Sequence, residues 1–155
     1  MEVRKAVVGD LGRIQELNLM LFEKEYEEYD KFLDLDWSFG EAGTRSFKKH
    51  LTEDSSCAFV LEDGGKIIGY LVGKEGKAEN YRITPKMAEL DNMFVLEEYR
   101  GKGVGKRLYE AFIGWCKERG AKMIRVEVSA GNKEGAEFYR KMGLGDYELV
   151  LEGSV

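Results

Sequence analysis

Proline, glutamine and histidine are nearly missing from this chain of 155 residues, with one of each. The lone histidine, His50 in the polar stretch Phe47-Lys-Lys-His-Leu51, is the only one a histidine-based triad could use. No acid and nucleophile pattern points to it, and it reads as an exposed helix residue. Two cysteines, Cys57 and Cys116, fit neither a disulfide framework nor a metal-ligand spacing, so both read as reduced packing residues and no metal is expected. No apolar run approaches the ~20 residues of a membrane span. The opening MEVRKAVVGD has no hydrophobic signal segment, which makes the cytoplasm the expected location. A basic excess is also lacking: 24 Lys and Arg stand against 29 Asp and Glu, and this balance argues against a dedicated nucleic-acid binder. The scarcity of Gln and Asn beside abundant Glu and Lys is like that of heat-adapted proteins.

What remains is a chain 43% hydrophobic and 34% charged, long enough to bury one core, and residues 1–155 read as a single domain. Its acidity is local. Glu23 to Asp36, EKEYEEYDKFLDLD, holds seven acids against two lysines, a net −5 equal to that of the whole chain. Those acids either solvate a helix face or attract a cationic substrate.

Periodicity predicts a strand over Val3–Val8, then a helix capped by Asp10 with Leu11, Ile14, Leu17 and Leu21 on its apolar face. A loop with Trp37 and Gly40 leads to a short helix near Thr44–Leu51. Cys57–Glu62 and Lys66–Val72 form a hairpin about Asp63-Gly64-Gly65. A polar connection, residues 74–86, precedes a strand over Met87–Val95. A helix then carries Val104, Leu108, Ala111, Phe112 and Trp115 on one face and stops at Gly120. A strand over Lys122–Val128, a helix Lys133–Met142 capped by Asn132, and a last strand over Tyr147–Leu151 complete the order. Hairpin strands followed by strand–helix alternation imply a mixed α/β sheet.

The stretch EYRGKGVGKRLYEAF, Glu98 to Phe112, places three glycines at alternate positions just before a helix. Such a turn leaves backbone N–H groups unpaired at a positive helix end, which suits an anion. A nucleotide P-loop would need Gly at 100 and Ser or Thr at 107, where Arg100 and Arg107 stand. A dinucleotide fingerprint would need Gly at 106, which is Lys106, and belongs in the first crossover of a sheet.

From Leu90 to Leu144 the chain resembles the GNAT acetyltransferase superfamily. The carriers are a strand before Arg-Gly-x-Gly-x-Gly (Arg100–Gly105), a following Asn132, and Phe138-Tyr139-x-x-x-Gly143-Leu144. The resemblance implies a mixed, mostly antiparallel central sheet flanked by helices, with splayed central strands. It implies that Arg100, Gly101, Lys102, Gly103, Val104, Gly105 and Lys106 surround the pyrophosphate of acetyl-CoA, with no metal. Met93, Phe94 and Val95 would pair with the pantetheine arm as an added strand would, and Asn132 would contact that arm. Tyr139 maps onto the tyrosine that protonates the departing thiolate. Asp91, or Glu89 two positions away on the same strand face, would take the amine's proton, unless no dedicated base exists. The segment Leu90-Asp-Asn-Met-Phe-Val95 is similar to spermidine/spermine acetyltransferases.

The activity implied is N-acetyl transfer from acetyl-CoA to a primary amine: a small cationic amine or polyamine, a protein lysine or an N-terminus. Tyr26, Tyr29, Phe32 and Trp37 among the acids would suit a cation. The alternative is a non-catalytic acyl-CoA-binding or sensing module on the same fold; a larger acyl group is a further variant. A homodimer is compatible with the resemblance.

Overall fold

The computed structural model describes residues 1–155. Five strands form one sheet in the order β1 (Glu2–Lys5), β2 (Ser56–Asp63), β3 (Lys66–Gly76), β4 (Met87–Val95) and β5 (Met123–Val126). The first three pairings are antiparallel and β4 with β5 is parallel, so the sheet is mixed as the element order implies. Four helices flank it: α1 (Leu11–Glu28), α2 (Glu41–Thr52), α3 (Val104–Glu118) and α4 (Lys133–Lys141).

Alternation along β3 divides the core between two layers. Gly69 and Gly73 face α3, where a Cβ would meet Leu108 and Phe112. Tyr70, on the other face, packs edge-on against Phe47 of α2, with ring centroids 6.2 Å apart. Apolar burial on both faces joins β2, β3, β4 and α3 in one cluster. Within the α1 and α2 layer runs a buried polar chain. Asn18 donates to the Tyr70 hydroxyl and accepts from Ser38, and the Tyr70 hydroxyl donates to Asn92 on β4. Each buried polar atom in that chain has a partner, as a low-dielectric interior demands.

Three expectations change. The first strand ends at Lys5, because the Asp10 carboxylate accepts from the Val7 N–H and draws Val7 and Val8 into a turn. Asp10 precedes α1 but makes no side-chain cap; it is instead paired with Arg4 at 2.8 Å. Tyr147–Leu151 forms no strand. Leu149, Val150 and Leu151 are 72–83% exposed, and an alternating pattern without a ladder partner has nothing to hold it extended. Both cysteines are free and buried, and burial pushes the Cys57 thiol up to about 12. No helix is long and apolar enough to cross a membrane.

Candidate active site

The β4–β5 ladder runs only from Met87↔Met123 to Leu90↔Val126. Beyond Leu90, β4 continues to Val95, paired to β3 on one side and open on the other. Two neighbouring strands thus part in the middle of the sheet, and Met93, Phe94 and Val95 lie on the open stretch. The register against β3 also steps here. Asn92 pairs with Val72 and Leu90 with Gly73, so Asp91 is the extra residue of a bulge.

At the end of β4 comes the glycine loop. Gly101 and Gly103 have φ of +73° and +75°, the left-handed region that other residues enter at a cost of about 1–2 kcal/mol. Gly103 is the residue before the first turn of α3, and no side chain caps that turn. The amides of Val104, Gly105 and Lys106 therefore keep their donors for something else. Val104 is buried and anchors the turn, while Gly105 sits close under Phe138 and Met93. Arg100 points inward: its Nε donates to the Val95 carbonyl at 2.8 Å and its guanidinium stacks over Phe94. It ties the loop to the strand end. Lys102 and Lys106 are exposed at the rim. A cavity of about 370 Å³ opens between this loop and α1, lined by Met20, Lys24, Phe94, Leu96 and Arg100 among others.

Beside the loop stands α4, whose Phe138 lies near Gly105 and packs edge-on against Tyr109 of α3. Asn132 caps α4, accepting from the Gly135 N–H at 3.0 Å. Tyr139 is 9% exposed, and burial raises its hydroxyl above the ordinary tyrosine range, so it keeps its proton at any working pH.

A second cavity, about 300 Å³, is lined by Lys74, Glu89, Leu90, Asp91, Arg125 and Glu127. Lys74 Nζ lies 3.8 Å from Glu89 and 3.6 Å from Asp91, so the two carboxylates do share a face, as their spacing predicts. His50 overturns its reading as an exposed residue. It is 7% exposed, with Nε2 2.9 Å from Asp91 Oδ2 and Nδ1 2.9 Å from the Gly73 carbonyl. The lysines beside it disguise a buried stripe: Gly43, Phe47 and His50 recur at helical spacing on the inner face of α2. Glu25 was equally hidden among the surface acids of α1. It is half-buried beside Tyr29, and burial raises its carboxyl above the usual range. Of the aromatics beside it, Trp37 stacks on Phe22 and packs against Phe47, so it belongs to the core, while Phe32 is 97% exposed.

A profile of the acetyltransferase (GNAT) family matches residues 12–144. The chain belongs to this family. The likeness extends to an uncharacterised N-acetyltransferase of Methanocaldococcus jannaschii, 29% identical over 132 residues, which are 85% of this chain and 57% of that protein. The chain thus spans little more than half the length of that relative. An N-alpha-acetyltransferase of Sulfurisphaera tokodaii is 26% identical over 96% of this chain and 82% of its own. Among solved structures, an aminoglycoside N-acetyltransferase in complex with coenzyme A superposes with a TM-score of 0.75 at 18% identity, over 99% of this chain and 98% of that one. The GNAT assignment makes this an acetyl-CoA-dependent acetyltransferase by family. The open β4 edge and the uncapped start of α3 suit that donor: an extended pantetheine arm and a pyrophosphate. No group of acidic, histidine or cysteine side chains is arranged to hold a metal ion.

Proposed function

We propose that the protein moves an acetyl group from acetyl-CoA directly onto a cationic primary amine, within a single domain spanning residues 1–155. The observation that carries this reading is the gap beyond Leu90↔Val126, with the α3 amides at one end and Asp91 and Glu89 at the other. In this reading the pyrophosphate takes the amides from Gly101 to Lys106, since the Arg100 amide donates to the Glu97 carbonyl at 3.0 Å, and the pantetheine arm pairs with Met93–Val95 and Asn132. The exposed Lys102, Lys106 and Arg107 add positive charge beside the phosphates.

The amine arrives protonated and must lose a proton before it can attack. That proton passes, through a bridging water, to Asp91; Glu89 is the second carboxylate in reach. The nitrogen lone pair then adds to the thioester carbon, and a backbone N–H of β4 stabilises the oxyanion. The C–S bond breaks, and the Tyr139 hydroxyl gives its proton to the leaving thiolate. The acetylated nitrogen, cationic after attack, gives its second proton through water to the Tyr139 phenolate, and exit of the product with release of the Asp91 proton to solvent restores the site.

Three acids, Glu89, Asp91 and Glu127, against Lys74 and Arg125 in the cavity at the start of the gap favour a cation. The strand Leu90–Val95 resembles spermidine/spermine acetyltransferases and favours a polyamine. The name of the Sulfurisphaera relative favours a protein α-amino group. A panel of a polyamine, an aminoglycoside, free lysine and a peptide with a free N-terminus, followed by release of free coenzyme A, separates these classes. Release with none of them overturns the enzyme reading in favour of an acyl-CoA-binding module. We infer also a cytoplasmic, homodimeric protein. Two buried free thiols suit a reducing compartment, and the exposed apolar residues Leu149–Leu151 suit a second copy. Sedimentation equilibrium tests the dimer.

A further inference from the structure

His50 is the chain's only histidine, and neither the anion loop nor Tyr139 uses it. It occupies the last turn of α2 with its ring between two oxygens. The ring thus bridges two acceptors: Nδ1 stands 2.9 Å from the Gly73 carbonyl oxygen and Nε2 stands 2.9 Å from Asp91 Oδ2. A ring nitrogen that carries hydrogen donates to such an oxygen.

That contact fixes how Asp91 stands. Asp91 is the extra residue of the β4 bulge, a device that re-aims a side chain. His50 holds Oδ2 from the interior, while Oδ1 lies 3.6 Å from Lys74 Nζ. The side chain is 23% exposed and borders the cavity shared with Glu89 and Glu127.

We propose that His50 is a positioning residue for acetyl transfer: it pins Oδ2 so that Oδ1 faces the acceptor amine. The proposal rests on Asp91 being the base. In the step itself, the amine N–H bond breaks, the proton passes through water to Oδ1, and the freed lone pair attacks the thioester. His50 keeps its bond to Oδ2 and touches neither substrate. Because α2 also packs on β2 and β3, the ring transmits the position of that helix to the carboxylate.

The test uses His50→Leu, which removes the donor, His50→Gln, which keeps an amide donor, Asp91→Asn, and the Leu/Asn double variant. Rates are measured with the fastest amine of the panel, alongside acetyl-CoA affinity and thermal unfolding as checks on folding. His50→Leu should lower kcat roughly ten- to a hundredfold, less than the ~10²–10⁴-fold typical of a base itself. Its KM for acetyl-CoA should not change, and His50→Gln should recover most of the rate. The double variant should be no slower than Asp91→Asn, because both changes remove one function. A His50→Leu enzyme at wild-type rate beside a slow Asp91→Asn overturns the proposal alone. Asp91→Asn at wild-type rate overturns the base reading and the proposal with it. Losses that multiply mean a merely structural role and also overturn it. Independently of turnover, the single histidine gives one set of imidazole ¹⁵N resonances, and Asp91→Asn should shift that of Nε2. An unmoved resonance refutes the pairing.

Discussion

Replacement of Gly103 by valine tests the anion loop at its narrowest requirement. The residue sits at φ +75°, and nothing lies within 4 Å of where a Cβ would be. The variant therefore meets no neighbour, and its whole cost is backbone strain. Holding a side chain in the left-handed region costs about 1–2 kcal/mol, and a β-branched one suffers most. The loop escapes that strain by leaving positive φ, which turns the first amides of α3 away from the pyrophosphate. Each charge-assisted hydrogen bond lost is worth about 1.5–3 kcal/mol, or roughly ten- to a hundredfold in Kd. Alanine should weaken binding less than valine. Calorimetry with acetyl-CoA and with pantetheine, which lacks the pyrophosphate, reads the effect. The valine variant should lose affinity for the first and keep it for the second, and wild-type binding should survive EDTA. Unchanged acetyl-CoA affinity, or an equal loss for pantetheine, would refute the assignment of the loop.

Tyr139→Phe should lower kcat roughly ten- to a thousandfold with little change in acetyl-CoA affinity, and full activity would return Tyr139 to the core. Neutralising Glu27, Glu28 and Asp30 together should raise KM for a cationic acceptor and remove its salt dependence, since charges on an exposed face act through a field screened within about 10 Å at 0.1 M; an unchanged acceptor KM leaves those acids as a solvated face. Gly43→Ala should cost about 1–3 kcal/mol in chemical denaturation, because its Cβ would collide with the Trp37 carbonyl oxygen. Arg4 holds the Asp10 carboxyl below its ordinary value of 3.8. Its contribution to stability is thus complete above that value and lost as the pH falls through the lower folded one. Asp10→Asn should accordingly lose stability near neutral pH and show a shallower acid decline; an unchanged acid limb would mean the pair contributes little.

Local patterns determined the elements from Asp63-Gly64-Gly65 to α4. The hairpin, the α3 stripe from Val104 to Trp115 and the cap at Asn132 each rest on contacts between residues near in sequence. The glycine loop was legible for the same reason: positive φ at Gly101 and Gly103 and an open helix start are properties of one short segment. Glu89 and Asp91 were placed on one face by strand alternation alone. Tertiary structure decided the rest. The Tyr147–Leu151 alternation lacked a ladder partner, and a strand exists only as one of a pair. The bulge at Asp91 is a step between two strands and leaves no mark in either sequence. His50 and Glu25 looked like surface residues because charge surrounds them along the chain. Burial depends on what packs across from a side chain, and for His50 that is Gly73 and Asp91, 23 and 41 positions further along the chain.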